Sequence, residues 1–447
     1  MNRVLLINGS PKDNGNTFHA LSEVADKPST TSIDMKRYCL LTLFITALTC
    51  LYTPHVTAQT FYICQEKNTA TTSLLSFSSG SFEAAAIDSI TLTPPAGQRF
   101  VGGDVSMLAK YEAQGAQYKD IDGKPVSDVL AFLKEQGWNT MRVRLFVDPS
   151  KDSDKAVIQD LDYVIALGKR IKAAGLLFML DFHYSDTWAD PAKQWTPDSW
   201  KDFADEQLQT KLYDYTRDCL RQLNAAGASP DFIQTGNEIS YGMLWGTQAA
   251  VGNSQVNRCY TNSPQANWNR FFALLRQATK ACREECPRAQ IIIHSERAAR
   301  PSVLIDYFDR LKAASIDYDI IGLSYYSYFH GKMNILDTAL QQLTAKNYGK
   351  PIQIVEMGYP SQWAVPGSTV DYSATYPLSA DGQKQYVDDL IMLLKKYPQV
   401  NGLSWWYAEA NAYGCSGDLK NGWYNASLFD NNTGRALKAL YEMQHFK

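Results

Sequence analysis

Two glutamates stand where a folded chain can use them for chemistry. Glu238 closes the run Phe232-Ile233-Gln234-Thr235-Gly236-Asn237, and Glu356 closes Ile352-Gln353-Ile354-Val355. A carboxyl group that ends an apolar run abruptly lies at the mouth of a buried scaffold, and two of them can divide the work of proton donor and nucleophile. The ends of the other apolar runs also carry polar or aromatic residues: Asp104 and Ser106, Arg142 and Arg144, Asp181, His183 and Tyr184, His294 and Ser295, Ser324 and Tyr326, Trp405 and Trp406. One glutamate in such a place is as readily a helix cap or a salt-bridge partner. Two of them, with Asn237 before the first, Arg142 on an earlier run and an aromatic pair on the last, point to catalysis.

The elements that would hold these residues follow from the pattern of apolar positions. Strands are expected at 100–107, 140–147, 176–184, 231–239, 290–295, 319–326, 351–359 and 402–407. Amphipathic helices are expected at 126–136, 154–174, 200–226, 268–285, 303–314, 336–347 and 380–397. Gly137 and Gly175 sit just past two of these helices, as a left-handed helix end requires. Eight strands alternating with helices make an α/β fold, a (β/α)8 TIM barrel, which places its active groups at the C-terminal ends of the strands. On that numbering Glu238 ends the fourth strand and Glu356 the seventh.

Bulk properties narrow the partner. The chain carries 43 basic and 46 acidic residues, a formal net charge of −3. No field of that size favours nucleic acid or an anionic membrane surface, so an uncharged or weakly charged ligand is expected. Ten Trp and 26 Tyr supply rings that stack on sugar faces, although for most of them core packing is the ordinary use. Eight cysteines show no zinc-ligand spacing, and Cys282 and Cys286 lack a companion pair, so neither metal nor cofactor is expected. Cys64, Cys219, Cys259, Cys282, Cys286 and Cys415 can pair in an oxidising compartment, with the connectivity open.

The N-terminal region contains two beginnings. From Met35 the chain reads Lys36-Arg37, an apolar run from Tyr38 to Tyr52, and Val56-Thr57-Ala58 before Gln59. A charged start, an apolar centre and a small-residue cleavage site make a secretory signal over 35–58, too short for a membrane span. A secreted or periplasmic protein without a membrane span in its mature form is therefore expected. Residues 59–96 read as a short Ser/Thr-rich, β-containing segment and linker, and 97–447 as the barrel. The opening Val4-Leu5-Leu6-Ile7-Asn8-Gly9-Ser10-Pro11 resembles the first strand and phosphate loop of flavodoxin-like NAD(P)H oxidoreductases. The βα units that would close a flavin site do not follow it, so 1–34 is expected to be an extraneous fragment that binds no FMN.

From about Phe100 onward the chain resembles glycoside hydrolase family 53, the endo-β-1,4-galactanases. The motifs are Gly102-Gly103-Asp104-Val105-Ser106, Asn139-Thr140-Met141-Arg142-Val143-Arg144, Asp181 to Pro191, Gln234-Thr235-Gly236-Asn237-Glu238, Gly322-Leu323-Ser324-Tyr325-Tyr326, Val355-Glu356-Met357-Gly358-Tyr359-Pro360 and Asn421 to Asp430. The chain departs from the family at Ser327, where Pro is usual. It departs again at Trp405-Trp406-Tyr407-Ala408, where a carboxylate is usual, and at His294-Ser295-Glu296-Arg297, where His-x-Asp is frequent.

The resemblance implies a monomeric, retaining endo-hydrolase of β-1,4-galactan in the arabinogalactan side chains of pectin. In it Glu356 would be the nucleophile and Glu238 the general acid/base. It further implies sugar-binding roles for Asp104, Arg142, Asp181, His183, Trp188, Asn237, His294, Tyr326 and Trp406, and no calcium site in 361–367. Two alternatives stay open at this point: a binding protein that has kept the groove without the reaction, and a barrel hydrolase of another β-linked hexan such as mannan.

Overall fold

The structure, a computed structural model, describes residues 98–416 and 424–447. The expectations for 1–34, 35–58 and 59–96, the Asn421-Gly422-Trp423 part of the last motif, and Cys39, Cys50 and Cys64 lie outside the described residues.

Eight parallel strands close into a barrel: β1 (Phe100–Asp104), β2 (Thr140–Leu145), β3 (Leu177–Phe182), β4 (Phe232–Gln234), β5 (Gln290–Ser295), β6 (Ile320–Tyr325), β7 (Ile352–Met357) and β8 (Val400–Trp405). Each pairs with the next, and β8 returns to β1. The helices outside it include α1 (Leu108–Ala113), α2 (Val129–Glu135), α3 (Leu161–Ala173), α4 (Asp205–Ala225), α5 (Gln265–Glu285), α6 (Pro301–Ala313), α7 (Met333–Lys346), α8 (Ala380–Lys395) and α9 (Lys438–Glu442), with single turns of helix at Gln248–Val251 and Ser327–His330 in the loops. The (β/α)8 barrel read from the sequence is the observed fold.

The differences are local. The helix expected from Asp154 begins at Leu161, because the Asp160 carboxylate accepts the Tyr163 backbone N–H and fixes the first turn there. The helix expected from Trp200 begins at Asp205, after a 3₁₀ turn over Asp198–Trp200. The strand expected over 231–239 is paired only over Phe232–Gln234. The α1 helix and a small hairpin of Tyr118–Lys119 with Pro125–Val126 were not expected.

The barrel interior shows why a periodic sequence ends in chemistry. Phe100, Met179, Phe232, Ile292, Ile320 and Val355, one from each of six strands, form a buried apolar cluster. Strand side chains repeat their direction every second residue, so the position two further along faces the same way. Two past Met179 is Asp181, two past Phe232 is Gln234, and two past Ile292 is His294. An apolar plug is thus followed along the same strands by a polar layer at the rim.

The five described cysteines are free thiols, and Cys219, Cys259, Cys282 and Cys286 are buried. Burial raises the Cys219 and Cys259 thiols to about 12, which makes them inert core residues. The expected pairing is therefore not realised among the described residues. No described helix is long and apolar enough to cross a membrane.

Candidate active site

The polar layer is organised around Arg142 on β2, which has no solvent exposure. Its Nε donates to Gln234 Oε1 at 2.6 Å and its Nη1 to Asp104 Oδ2 at 2.9 Å. Its Nη2 lies 2.8 Å from Asp181 Oδ2, 2.9 Å from Asn237 Oδ1 and 2.8 Å from Glu356 Oε1. Burial alone would lower the guanidinium pKa, but Asp181, Glu356 and Asp104 together raise it, so this cation is permanent. Burial would likewise raise Asp181, yet Arg142 and His183 bring it down to about 2. A fixed charge in a dry interior organises its neighbours far more strongly than it would in water.

The arginine also fixes the hydrogens of the next groups. Arginine only donates, so the Gln234 atom facing it is the carbonyl oxygen, and the Gln234 NH2 must face His294 Nδ1 at 2.9 Å. His294 Nδ1 therefore accepts, which leaves the proton on Nε2, 2.8 Å from Ser324 Oγ. Burial and Arg142 hold the imidazole well below its usual pKa, so it stays neutral. Ser324, accepting from the imidazole, turns its own proton outward: its Oγ is 2.6 Å from Glu238 Oε1 and 3.4 Å from Glu356 Oε2. One directed chain of hydrogen bonds runs from Arg142 through Gln234, His294 and Ser324 to Glu238.

Both glutamates owe their placement to departures from regular strand. Past Gln234 the chain turns through Gly236, at φ 120°, and Glu238 adopts the left-handed conformation at φ 49° and ψ 50°. A side chain on Gly236 would bring its Cβ within 2.6 Å of Ile239 Cγ2, so glycine is required there on both counts. On β7 the pairing with both neighbours slips after Ile354, so that Glu356 comes opposite Ser324. Such a bulge lets two successive residues face one side. Val355 packs in the interior cluster and Glu356, the next residue, meets Arg142 in the same interior.

The resulting pair is close and unequal. The ligating oxygens of Glu238 and Glu356 and a nitrogen of His294 all lie within 4.8 Å of one another. Both His294 nitrogens are already engaged within the protein, which makes this trio a poor metal cage and a good proton-handling pair. Glu356 holds the Arg142 ion pair and accepts from Tyr326 OH at 2.8 Å. Glu238 has the serine and no cation in ion-pair reach among the described residues. Burial raises both, and Arg142 and Tyr326 oppose the rise at Glu356 without cancelling it, while Glu238 is pushed well above its usual value by burial, Glu356 and Glu296. The first proton the pair takes up sits on Glu238.

The remaining residues singled out in the sequence fall into two layers. Asp104, Arg142, Asp181, His183 and His294 are sealed, at 0–2% exposure, with their polar atoms turned on one another. His183 Nδ1 accepts the Ala189 N–H at 3.0 Å and its Nε2 lies 3.1 Å from Asp181 Oδ2, so neither nitrogen faces the groove. Asn237 gives one N–H to the Ala189 carbonyl at 2.7 Å, and its second N–H makes no hydrogen bond among the described residues. Trp188 and Trp406 are partly exposed, 6.3 Å apart, and both lie over the Arg144 guanidinium, at 4.7 and 5.8 Å.

Four residues that the sequence reading gave no role have one here. Gln234 and Ser324 were visible as polar residues in inward strand positions, but only the arginine reveals the direction of their hydrogen bonds. Arg144, which pairs with Asp104 at 3.0 Å, carries the tryptophans. Glu409 follows β8, four residues past Trp405, in a chain whose eighth strand was read as lacking a carboxylate. It is fully buried, accepts the Met107 N–H at 2.7 Å, and is pushed up to about 8 by burial and Asp104.

Residues 100–443 match the model of glycosyl hydrolase family 53. Over 342 residues the chain is 34% identical to an uncharacterized protein of Niallia circulans, covering 74% of this chain and 89% of that one. It is 32% identical over 348 residues to an arabinogalactan endo-β-1,4-galactanase of Cellvibrio japonicus, covering 74% and 86% respectively. Among solved structures, the family 53 catalytic domain of Ignisphaera aggregans superposes with a TM-score of 0.67 at 30% identity, covering 79% of this chain and 97% of that domain.

Proposed function

The chain belongs to glycosyl hydrolase family 53, and we infer that it cleaves internal β-1,4-galactosidic bonds of galactan and arabinogalactan with retention of anomeric configuration. The observation that carries the stereochemistry is the closeness of Glu238 and Glu356, whose oxygens lie within 4.8 Å. An inverting enzyme needs a water between its carboxyl groups, at a separation of roughly 6.5–9.5 Å, whereas direct attack by a carboxylate needs about 5–5.5 Å. Glu356, ionised beside Arg142, attacks the anomeric carbon. Glu238, protonated, gives its proton to the leaving oxygen and then, as a carboxylate, takes one from the water that releases the glycosyl-enzyme.

The free N–H of Asn237 suits the sugar 2-hydroxyl, and Trp188 and Trp406 form the floor on which a sugar ring stacks. Asp104, Asp181, His183 and His294 act behind them as positioning residues, through Arg142 and Ser324. All eight strand ends belong to one chain, so the site needs no second copy, and a monomer is the form we propose. The signal-like segment at 35–58 supports export, with 97–447 as the working domain.

The test is product analysis on galactan, arabinogalactan, mannan and cellulose, with proton NMR of the first products. Oligosaccharides from the two galactans, released first as β-anomers, are expected. Initial α-anomers would overturn retention, and faster cleavage of mannan would overturn the substrate.

Ser324 supplies a second check. Its hydroxyl stabilises the ionised form of Glu238 and so opposes the rise in that group's pKa. Activity falls on the alkaline side as Glu238 loses its proton, so Ser324→Ala should move that limb to higher pH. The lost charge-assisted hydrogen bond should also lower kcat by roughly tenfold. A pH profile of kcat/KM with an unmoved alkaline limb would show that Ser324 does not govern Glu238.

A further inference from the structure

A cleft of about 160 Å³ opens on the Glu238 side of the rim, starting two residues past that glutamate at Ser240 and Tyr241. Its walls come from the ends of β4 and β5, the loop after Cys259, and α6. In the order of the barrel β4 and β5 stand opposite β8 and β1, so this cleft and Trp406, which follows β8, lie across the rim from each other.

The cleft carries two arginines whose charge the protein answers only in part. Arg297 is 8% exposed, and its guanidinium carbon lies over Tyr241, 3.5 Å from the ring centroid. Its Nε is satisfied by Glu296 at 2.9 Å and Ser240 at 3.1 Å, yet its buried Nη2 has no partner. Arg300, also lining the cleft, is exposed and makes no ion pair among the described residues. The acid in the lining, Asp306, is already paired with Arg310 at 2.9 Å. Glu296 lies against the Arg297 Nε and Glu238 also acts on the guanidinium, while burial pushes Glu296 itself up to about 7. Burial and the like charge of Arg300 bring Arg297 down to about 10, against the opposing pull of Glu238. Leaving a buried N–H unmade is costly, and Arg300, exposed on the same wall, can give an arriving carboxylate a charge-assisted bond.

We propose that Arg297 and Arg300 form an anion-accepting subsite on the leaving-group side, which takes the carboxylate of a uronic acid carried by the sugar chain beyond the scissile bond. The inference rests on Glu238 as the proton donor, because the leaving oxygen and the sugars attached to it must lie on that residue's side. Tyr241 and Tyr260, with ring centroids 4.5 Å apart, give the cleft an aromatic wall for a sugar face, which a site for a free inorganic anion would not need.

The test compares two galacto-oligosaccharides of equal length, one neutral and one with a uronic acid at its reducing end, at low and high salt. The acidic substrate should show a KM lower by roughly tenfold at low salt, and the advantage should shrink at high salt. Arg300→Gln should erase the preference while leaving turnover of the neutral substrate unchanged, and Arg300→Lys should restore part of it. Inorganic phosphate as a competitor should weaken binding of the acidic substrate only at concentrations far above the uronide's KM. Equal KM for the two substrates in the unmodified enzyme, or equal losses on both in Arg300→Gln, would overturn the subsite while the neutral substrate still reports galactanase activity. Failure to cleave either substrate would instead overturn the reading on which it rests.

Discussion

Glu356→Ala is expected to lower kcat on galactan by on the order of 10⁵-fold, because it removes the atom that forms the covalent bond and not merely a contact. The fold should survive. Arg142 keeps Asp104 at 2.9 Å and Asp181 at 2.8 Å, so the buried cation is not stranded, and a carboxyl group crowded against Glu238 is gone. The melting temperature should therefore not fall. The space vacated beside Arg142 admits a small anion, so azide or formate added with a substrate bearing an activated leaving group should recover part of the rate. Attack from the side of Glu356 in a single displacement gives an inverted product, and an α-galactosyl azide is the signature. Recovery of a β-azide instead, or full activity on galactan without additive, would remove Glu356 from the role.

The same two positions show what the sequence disclosed and what it withheld. The barrel was legible because each strand is a short apolar run bounded by turn residues, and all eight runs reappear in the structure. The glutamates were legible because a charge after such a run has few places to be except the rim. The bulge at Val355 was not, since strict alternation would send Glu356 away from the interior once Val355 faces it; only the slip in pairing with β6 and β8 brings both inward. Nor was the short reach of β4. Apolar continuity ran on to Ile239, but the ladder stops at Gln234, and Gly236 and Glu238 use positive φ to aim the side chain.

Which polar residues face a sugar and which face each other was equally hidden. Asp104, Asp181, His183 and His294 have the residue types of ligand contacts, yet a single arginine on the neighbouring β2 draws them into a sealed network. Residue type shows what a group can bond, and register shows what it does bond. Arg297 carries the same lesson outward: at the sequence level it is one more charge before a helix, and its meaning depends on Nη2 being buried without a partner.

Glu238→Ala should lower kcat on galactan by roughly 10³-fold, the range for loss of a positioned proton donor. The loss should depend on the leaving group, which distinguishes it from Glu356→Ala. A sugar alkoxide leaves slowly without a proton, whereas a nitrophenolate needs little help, so the first step on an activated aryl galactoside should survive. Release of the glycosyl-enzyme still needs the Glu238 carboxylate to activate water, and the intermediate should accumulate as a burst of nitrophenol. Azide needs no base, so adding it should restore turnover and yield a β-galactosyl azide, the opposite anomer from the nucleophile variant. The pH profile gives an independent reading. The alkaline fall that Glu238 imposes, well above the usual carboxylate range because of burial, Glu356 and Glu296, should vanish on the aryl substrate. A variant equally inactive on polymer and aryl substrate, with no burst and no response to azide, would mean that Glu238 holds the site together without handling the proton, and the acid would then have to be sought at Glu296, the other raised carboxyl group on that side of the rim.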